Sequence, residues 1–153
     1  MPQFKNFLQA CVSACPIALI ALMASTAHAD TPRQEFTTAQ QKWQAAGIQN
    51  YSFTLFQGCF CPGGQPMRIT VRYGEVQSAT SLRDGTPVEA KTMGKPLTMA
   101  EILQKIEAAY ARPADHITLT LNPEYGYPEQ VYIDYVAMMA DEELSYTISD
   151  FTH

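Results

Sequence analysis

Five stretches of this 153-residue chain alternate apolar and polar side chains with a period of two, and none of them is continuously apolar. They are Tyr51, Phe53 and Leu55; Met67, Ile69, Val71 and Tyr73; Ile117, Leu119 and Leu121; Val131, Ile133 and Tyr135; and Leu144, Tyr146 and Ile148. A sixth, weaker strand is expected from Val76 to about Leu82, after a tight turn at Gly74-Glu75. Period two sends successive side chains to opposite faces of a strand, so each stretch has one apolar and one wet face. Strands buried on both faces, as in parallel sheets, read as unbroken apolar runs instead. The pattern therefore predicts an antiparallel sheet with its core on one side. Its solvated side would carry Ser52, Thr54, Arg68, Thr70, Arg72, Thr118, Thr120 and Tyr132.

Two helices complete the expectation. Thr31-Pro32 supplies an N-cap and a proline at the first helical position, Phe36, Ala39, Trp43 and Ala46 recur at helical spacing, and Gly47 is placed to end the helix. Thr98 and Glu101 form a capping box, with Leu97 and Ile102 at the positions of a hydrophobic staple. Ile102, Leu103, Ile106, Ala109 and Tyr110 follow as a buried stripe, and Pro113 stops it. The fold class is α+β, an antiparallel sheet with two helices on one face. Its order is αβββ-αβββ, with halves at about 30–82 and 97–153 joined by a Gly- and Pro-containing loop, 83–96, that holds a short hairpin at Asp84-Gly85. At an offset of 66 the halves overlay, Phe36 on Ile102, Tyr51 on Ile117, and Cys59-Phe60-Cys61-Pro62 on Tyr125-Gly126-Tyr127-Pro128. That match is consistent with a duplication and equally with two similarly patterned halves.

The first 29 residues stand apart. Lys5 gives a basic start, Ile17 to Ala24 form an apolar run, and Ala27-His28-Ala29 reads as a small-x-small cleavage site, the layout of a secretory signal peptide. The run is well short of the ~20 residues of a spanning helix, and it follows Cys15 rather than preceding it, which argues against lipoprotein processing there. Cleavage after Ala29 leaves a single domain, 30–153, in the periplasm or secreted, with no stable membrane span. Among charged residues only Lys5 is lost, so nine basic side chains face fifteen acidic ones, net −6. An acidic chain of this kind lacks the basic face that phosphate neutralisation requires, which excludes nucleic acid as a partner.

Two of the four cysteines leave with the signal segment, and Cys59 and Cys61 remain for an oxidising compartment. In a regular strand, residues two apart have Cα atoms about 6.6 to 6.8 Å apart, the outer limit of disulfide geometry, so closure needs a bent backbone. Gly58 and Pro62-Gly63-Gly64 supply the bend. The leading expectation is a disulfide that shapes a loop; the alternative is a periplasmic thiol-redox or copper(I)-handling pair. No metal site is expected: no histidine lies near the pair, and Asp141-Glu142-Glu143 lacks the spacing of a calcium loop. With no G-x-S-x-G, H-E-x-x-H, P-loop or dinucleotide fingerprint, the chain shows no catalytic motif and implies no cofactor. It is expected to be a binding module rather than an enzyme, with another envelope protein as partner. Phe60, Tyr125 and Tyr127 are the candidate contacts, on two hairpins forming one edge, with Arg68 and Arg72 on the wet sheet face.

The succession Trp43, Asn50-Tyr51-Ser52-Phe53, Cys59-Phe60-Cys61-Pro62, Val71 with Gly74, Glu101-Ile102-Leu103, Tyr125-Gly126-Tyr127-Pro128, Ile133-Asp134 and Asp141-Glu142-Glu143-Leu144 resembles domain-of-unknown-function family 6174, small exported bacterial proteins. The resemblance covers about Phe36 to Phe151, and its most specific elements are the C-F-C-P and Y-G-Y-P turns. Leu119-Thr120-Leu121-Asn122-Pro123 departs from it, being less acidic than expected. The resemblance implies a compartment and a domain extent and carries no reaction. By architecture alone, tandem αβββ halves look like β-lactamase-inhibitory and PepSY-type modules, which bind proteins; that is an analogy of fold.

Mass spectrometry of protein purified from the exported fraction is expected to show a two-proton deficit at Cys59 and Cys61 that survives glutathione. Free thiols that take up copper(I) would instead establish the dithiol alternative.

Overall fold

The computed structural model describes residues 31–58, 64–88, 94–112, 114–139 and 142–153. The expected signal segment, the Cys59–Cys61 pair with Phe60, the helix stop at Pro113, and Asp141 lie outside the described residues. The elements are α1 (Thr31–Ala46), β1 (Tyr51–Gly58), β2 (Met67–Arg72), β3 (Glu75–Ser81), α2 (Met99–Ala111), β4 (His116–Leu121), β5 (Pro128–Asp134) and β6 (Glu143–Thr152). The six strands form one antiparallel sheet in the order β3-β2-β1-β6-β5-β4.

Register explains why the alternation appears in every strand. Leu55 lies opposite Met67 and Ile148, Phe53 opposite Ile69, Ile69 opposite Ala79, Val131 opposite Tyr146, and Ile133 opposite Ile117 and Leu144. All of these lie on one face, where they meet Phe36 and Trp43 of α1 and Met99, Ile102, Leu103, Ile106 and Ala109 of α2 in a single core. Ala46 does not join it: it is exposed at the end of α1, where Gly47, at φ 60°, turns the chain away and donates its N–H to the Gln44 carbonyl.

The capping box forms as expected. Thr98 Oγ1 accepts from the Glu101 N–H and the Glu101 carboxylate accepts from the Thr98 N–H, while Leu97 and Ile102 are both buried. Another N-terminal donor of α2, the buried Met99 N–H, reaches Tyr51 Oη of β1 at 2.9 Å. The helix start is thereby hydrogen-bonded to the sheet, which sequence patterning does not reveal.

The turn between β2 and β3 falls one residue earlier than expected. Tyr73, expected on the inner face of β2, is 84% exposed and pairs with Gly74 as a two-residue connection, with φ 53° and 78°. Positive φ at both positions is the hairpin geometry that matches strand twist. β3 accordingly starts at Glu75 and ends at Ser81, leaving Leu82 half exposed. The hairpin at Asp84-Gly85 is present: Ser81 donates to Thr86, Val88 donates to Ala79, and Thr80 bridges Pro87.

The strand order settles the relation between the halves. Seen from the helix face with β1 pointing up, β2 and β3 follow on one side; with β4 pointing up, β5 and β6 follow on the other. The two αβββ units are of opposite hand, so no rotation superposes them. Matching positions take different places: Tyr51, Phe53 and Leu55 lie on a central strand, whereas Ile117, Leu119 and Leu121 lie on an edge.

One close contact fixes α1 to the β4–β5 turn. Gly126, at φ 78°, sits so near the helix that a Cβ would stand 2.1 Å from the Ala39 carbonyl oxygen. Gly126→Ala is expected to destabilise the fold by about 2 to 4 kcal/mol, since it adds a backbone clash to a left-handed conformation. Gly47→Ala, with nothing within 4 Å, is expected to cost only about 1 kcal/mol. Denaturant unfolding of the two variants tests the difference.

Candidate functional site

The Y-G-Y-P turn packs into an aromatic cluster at one end of the sheet. Tyr127 is buried and stacks on Phe151 at 4.5 Å, Trp43 meets Tyr51, Tyr127 and Phe151 edge-on, and half-buried Tyr125 lies T-shaped against His153 at 4.9 Å. Asn122 organises the turn: its Oδ1 accepts from the N–H groups of Glu124 and Tyr125, and its Nδ2 donates to Tyr127 Oη and Glu129 Oε1. Burial, with Glu129 and Glu124 nearby, holds the Tyr127 hydroxyl above its ordinary value. The hydrogen bond to Glu124 does the same for Tyr125. Tyr127 is thus mainly a packing residue, and Tyr125 is the more accessible of the two.

Phe151 reaches this cluster through a bulge. Ser52 faces Thr152 but Thr54 faces Ser149, so Asp150 and Phe151 together oppose Phe53. Asp150 takes φ 51°, which reverses the alternation and returns Phe151 to the core side. Arg68 braces the bulge from the open face, donating to the Asp150 carbonyl and to Ser52 Oγ, both at 2.9 Å. Arg72 lies exposed further along the same strand, its guanidinium 3.4 Å from the Val71 carbonyl. The open face is as expected, with Ser52, Thr54, Arg68, Thr70, Thr118, Thr120 and Tyr132 in register across it, although Thr54 is buried.

Of the two marked turns only Y-G-Y-P lies among the described residues. Gly58, where the chain leaves β1 toward Cys59, pairs with Ser145 at the start of β6. The Y-G-Y-P turn packs near Phe151, at the opposite end of β6. β1 and β4 point in opposite directions, so their C-terminal residues, Gly58 and Leu121, lie at opposite ends of the sheet. Equal spacing in sequence does not carry polarity.

Between β3 and the start of α2 lies a cleft of about 600 Å³ that the alternation did not foretell. Val76, Ala79, Val88, Pro96 and Ala100 contribute its apolar surface, and Glu75, Gln77, Ser78, Lys95, Thr98 and Glu101 its polar rim. Its volume is within the range of small-molecule and side-chain binding clefts. Lys95 Nζ lies 3.0 Å from Glu101 Oε1. Partial burial of the Glu101 carboxyl, which alone would raise its pKa, is outweighed by hydrogen bonds from Thr98 and Lys95 that lower it. Among the described residues no group of three or more His, Cys, Asp or Glu is placed to hold a metal ion, and no helix is long and apolar enough to cross a membrane.

The architecture is that of a small α+β module, a six-stranded antiparallel sheet covered on one face by two helices. The chain belongs to a family of unknown function (DUF6174), whose model matches residues 35–153. No curated protein and no solved structure matches it.

Burial pushes the Tyr146 hydroxyl up to about 12, helped by Tyr135, and raises Tyr51 as well. A hydroxyl held neutral by the fold contributes stability that is whole below its ordinary value of 10.0 and is lost as pH rises toward 12. Unfolding free energy is therefore expected to fall by about 2 to 3 kcal/mol across that window on account of Tyr146. Denaturant titrations of the natural chain and of Tyr146→Phe, compared between pH 9 and 12, test this; equal slopes would contradict it.

Proposed function

We propose that the chain is an exported, non-enzymatic binding module of the bacterial envelope, and that the cleft between β3 and α2 takes an apolar side chain of a partner polypeptide. The cleft carries this reading. Val76, Ala79 and Pro96 offer apolar surface, and the Lys95–Glu101 pair stands at its rim to engage the partner's backbone. A partly apolar cavity with a few fixed polar groups is the usual form of a binding site. The open sheet face, a carpet largely of short hydroxylated side chains, fits a weaker role. Export is supported by the layout of residues 1–29.

A photo-crosslinking residue at Ala100, exposed on the cleft wall, is expected to capture an envelope polypeptide in living cells, and one at Thr147 on the open face is not. Capture from Thr147 alone would move the contact to the open face. Filling the cleft with Ala100→Trp is expected to abolish the adduct from a second probe at Gln77 while leaving the melting temperature within about 2 °C. N-terminal sequencing of the same material is expected to begin at Asp30.

A further inference from the structure

The two edges of the sheet are built differently. β3 is protected: Gln77 is an extra residue bulged out of its register with β2, Glu75 begins it, and the stretch at Thr86 to Val88 pairs along its upper part. These are the devices by which natural sheets avoid open edges. β4 has none of them. His116–Leu121 contains no Pro, Lys, Asp or Glu, and it runs without a bulge of its own, the extra residue opposite it being Glu129 of β5. Among the described residues a strand flanks it on one side only. Its core-side residues Ile117, Leu119 and Leu121 are only partly covered, beside a groove against α1 lined by Thr38, Ala39 and Lys42.

We propose that this edge is covered by β4 of a second copy, in a two-fold antiparallel pair centred on Leu119. The strand is self-complementary in this register. Ile117-Thr118-Leu119-Thr120-Leu121 reads as apolar, Thr, apolar, Thr, apolar in both directions, so Ile117 meets Leu121, Thr118 meets Thr120, and Leu119 meets itself. Facing partners in an antiparallel pair share a face, so the aliphatic side chains of both copies join on the core side and the threonines on the open side. Charge agrees with the same register. Asp115, just before β4, falls level with Pro123 of the second copy, where Lys42 Nζ is held 3.0 Å from the Pro123 carbonyl. The two-fold repeats this opposite-charge approach at the other end. The result is a continuous twelve-stranded sheet, six strands from each copy.

Analytical ultracentrifugation of the purified chain is expected to give twice the monomer mass. Thr118→Lys with Thr120→Lys places like charges opposite one another on exposed positions, as does the corresponding pair of glutamate substitutions. Each double variant is expected to sediment as a monomer with unchanged far-UV circular dichroism, and an equimolar mixture of the two to return to the dimer mass. In a Cys59→Ser, Cys61→Ser background, Leu119→Cys is expected to crosslink to itself, because directly opposed Cα atoms about 4.5 to 5.5 Å apart suit a disulfide. A natural chain that remains monomeric up to about 100 μM overturns the proposal. So does a double-lysine variant that stays dimeric, and so does a mixture that fails to reassociate.

Discussion

The pairing of β1 with β6 is the constraint on which the rest of the molecule depends. Each half of the chain contributes a three-stranded antiparallel meander with one apolar face. Antiparallel pairing at the seam joins them into one sheet, and it also dictates polarity. With β1 and β6 opposed, β1 and β4 point in opposite directions, the halves become mirror-related in hand, and β3 and β4 become the two edges. The seam also carries the one bulge that brings Phe151 under Trp43 and beside Tyr127. Arg68 and Ser52, on strands of the first half, hold that bulge by hydrogen bonds to Asp150 and Thr152.

What could be read from the sequence was whatever repeats with a short period. Phe36, Ala39 and Trp43, the capping box at Thr98, and most inner-face residues of five strands follow from spacings of two, three and four, and they make up most of the single core. Tyr73 misled because it continues the alternation of Met67, Ile69 and Val71 while the backbone has already turned; turn conformation is local and overrides periodicity. Asp150 is the reverse case, a polar residue in a left-handed conformation that shifts the phase of a strand without leaving a mark in the pattern. The polarity of the halves could not be read at all, since strand alternation is the same in either direction.

The candidate cleft has the same character. Its walls come from β3, from the start of α2 and from the chain that crosses between them, segments far less periodic than the strands. Tyr51 links this region to the sheet by accepting the Met99 N–H, so the wall that presents Ala100 and Glu101 is anchored to a central strand. The walls from β3 and α2 are therefore held by the core, while Val88, Lys95 and Pro96 come from the connecting chain; fixed walls are what let a binding surface keep its shape.

The central place of β6 has a consequence for when the molecule can exist. Ser52 and Thr152, bonded across the seam, lie 100 residues apart in sequence. Until the last strand emerges, β1 has an unpaired side and the β4–β5 hairpin has nothing to attach it to the first meander. Closing so long a loop is the slow entropic step in a topology of this kind. The open side of β1 therefore waits on a strand far along the chain, and the sheet becomes whole only when that strand docks.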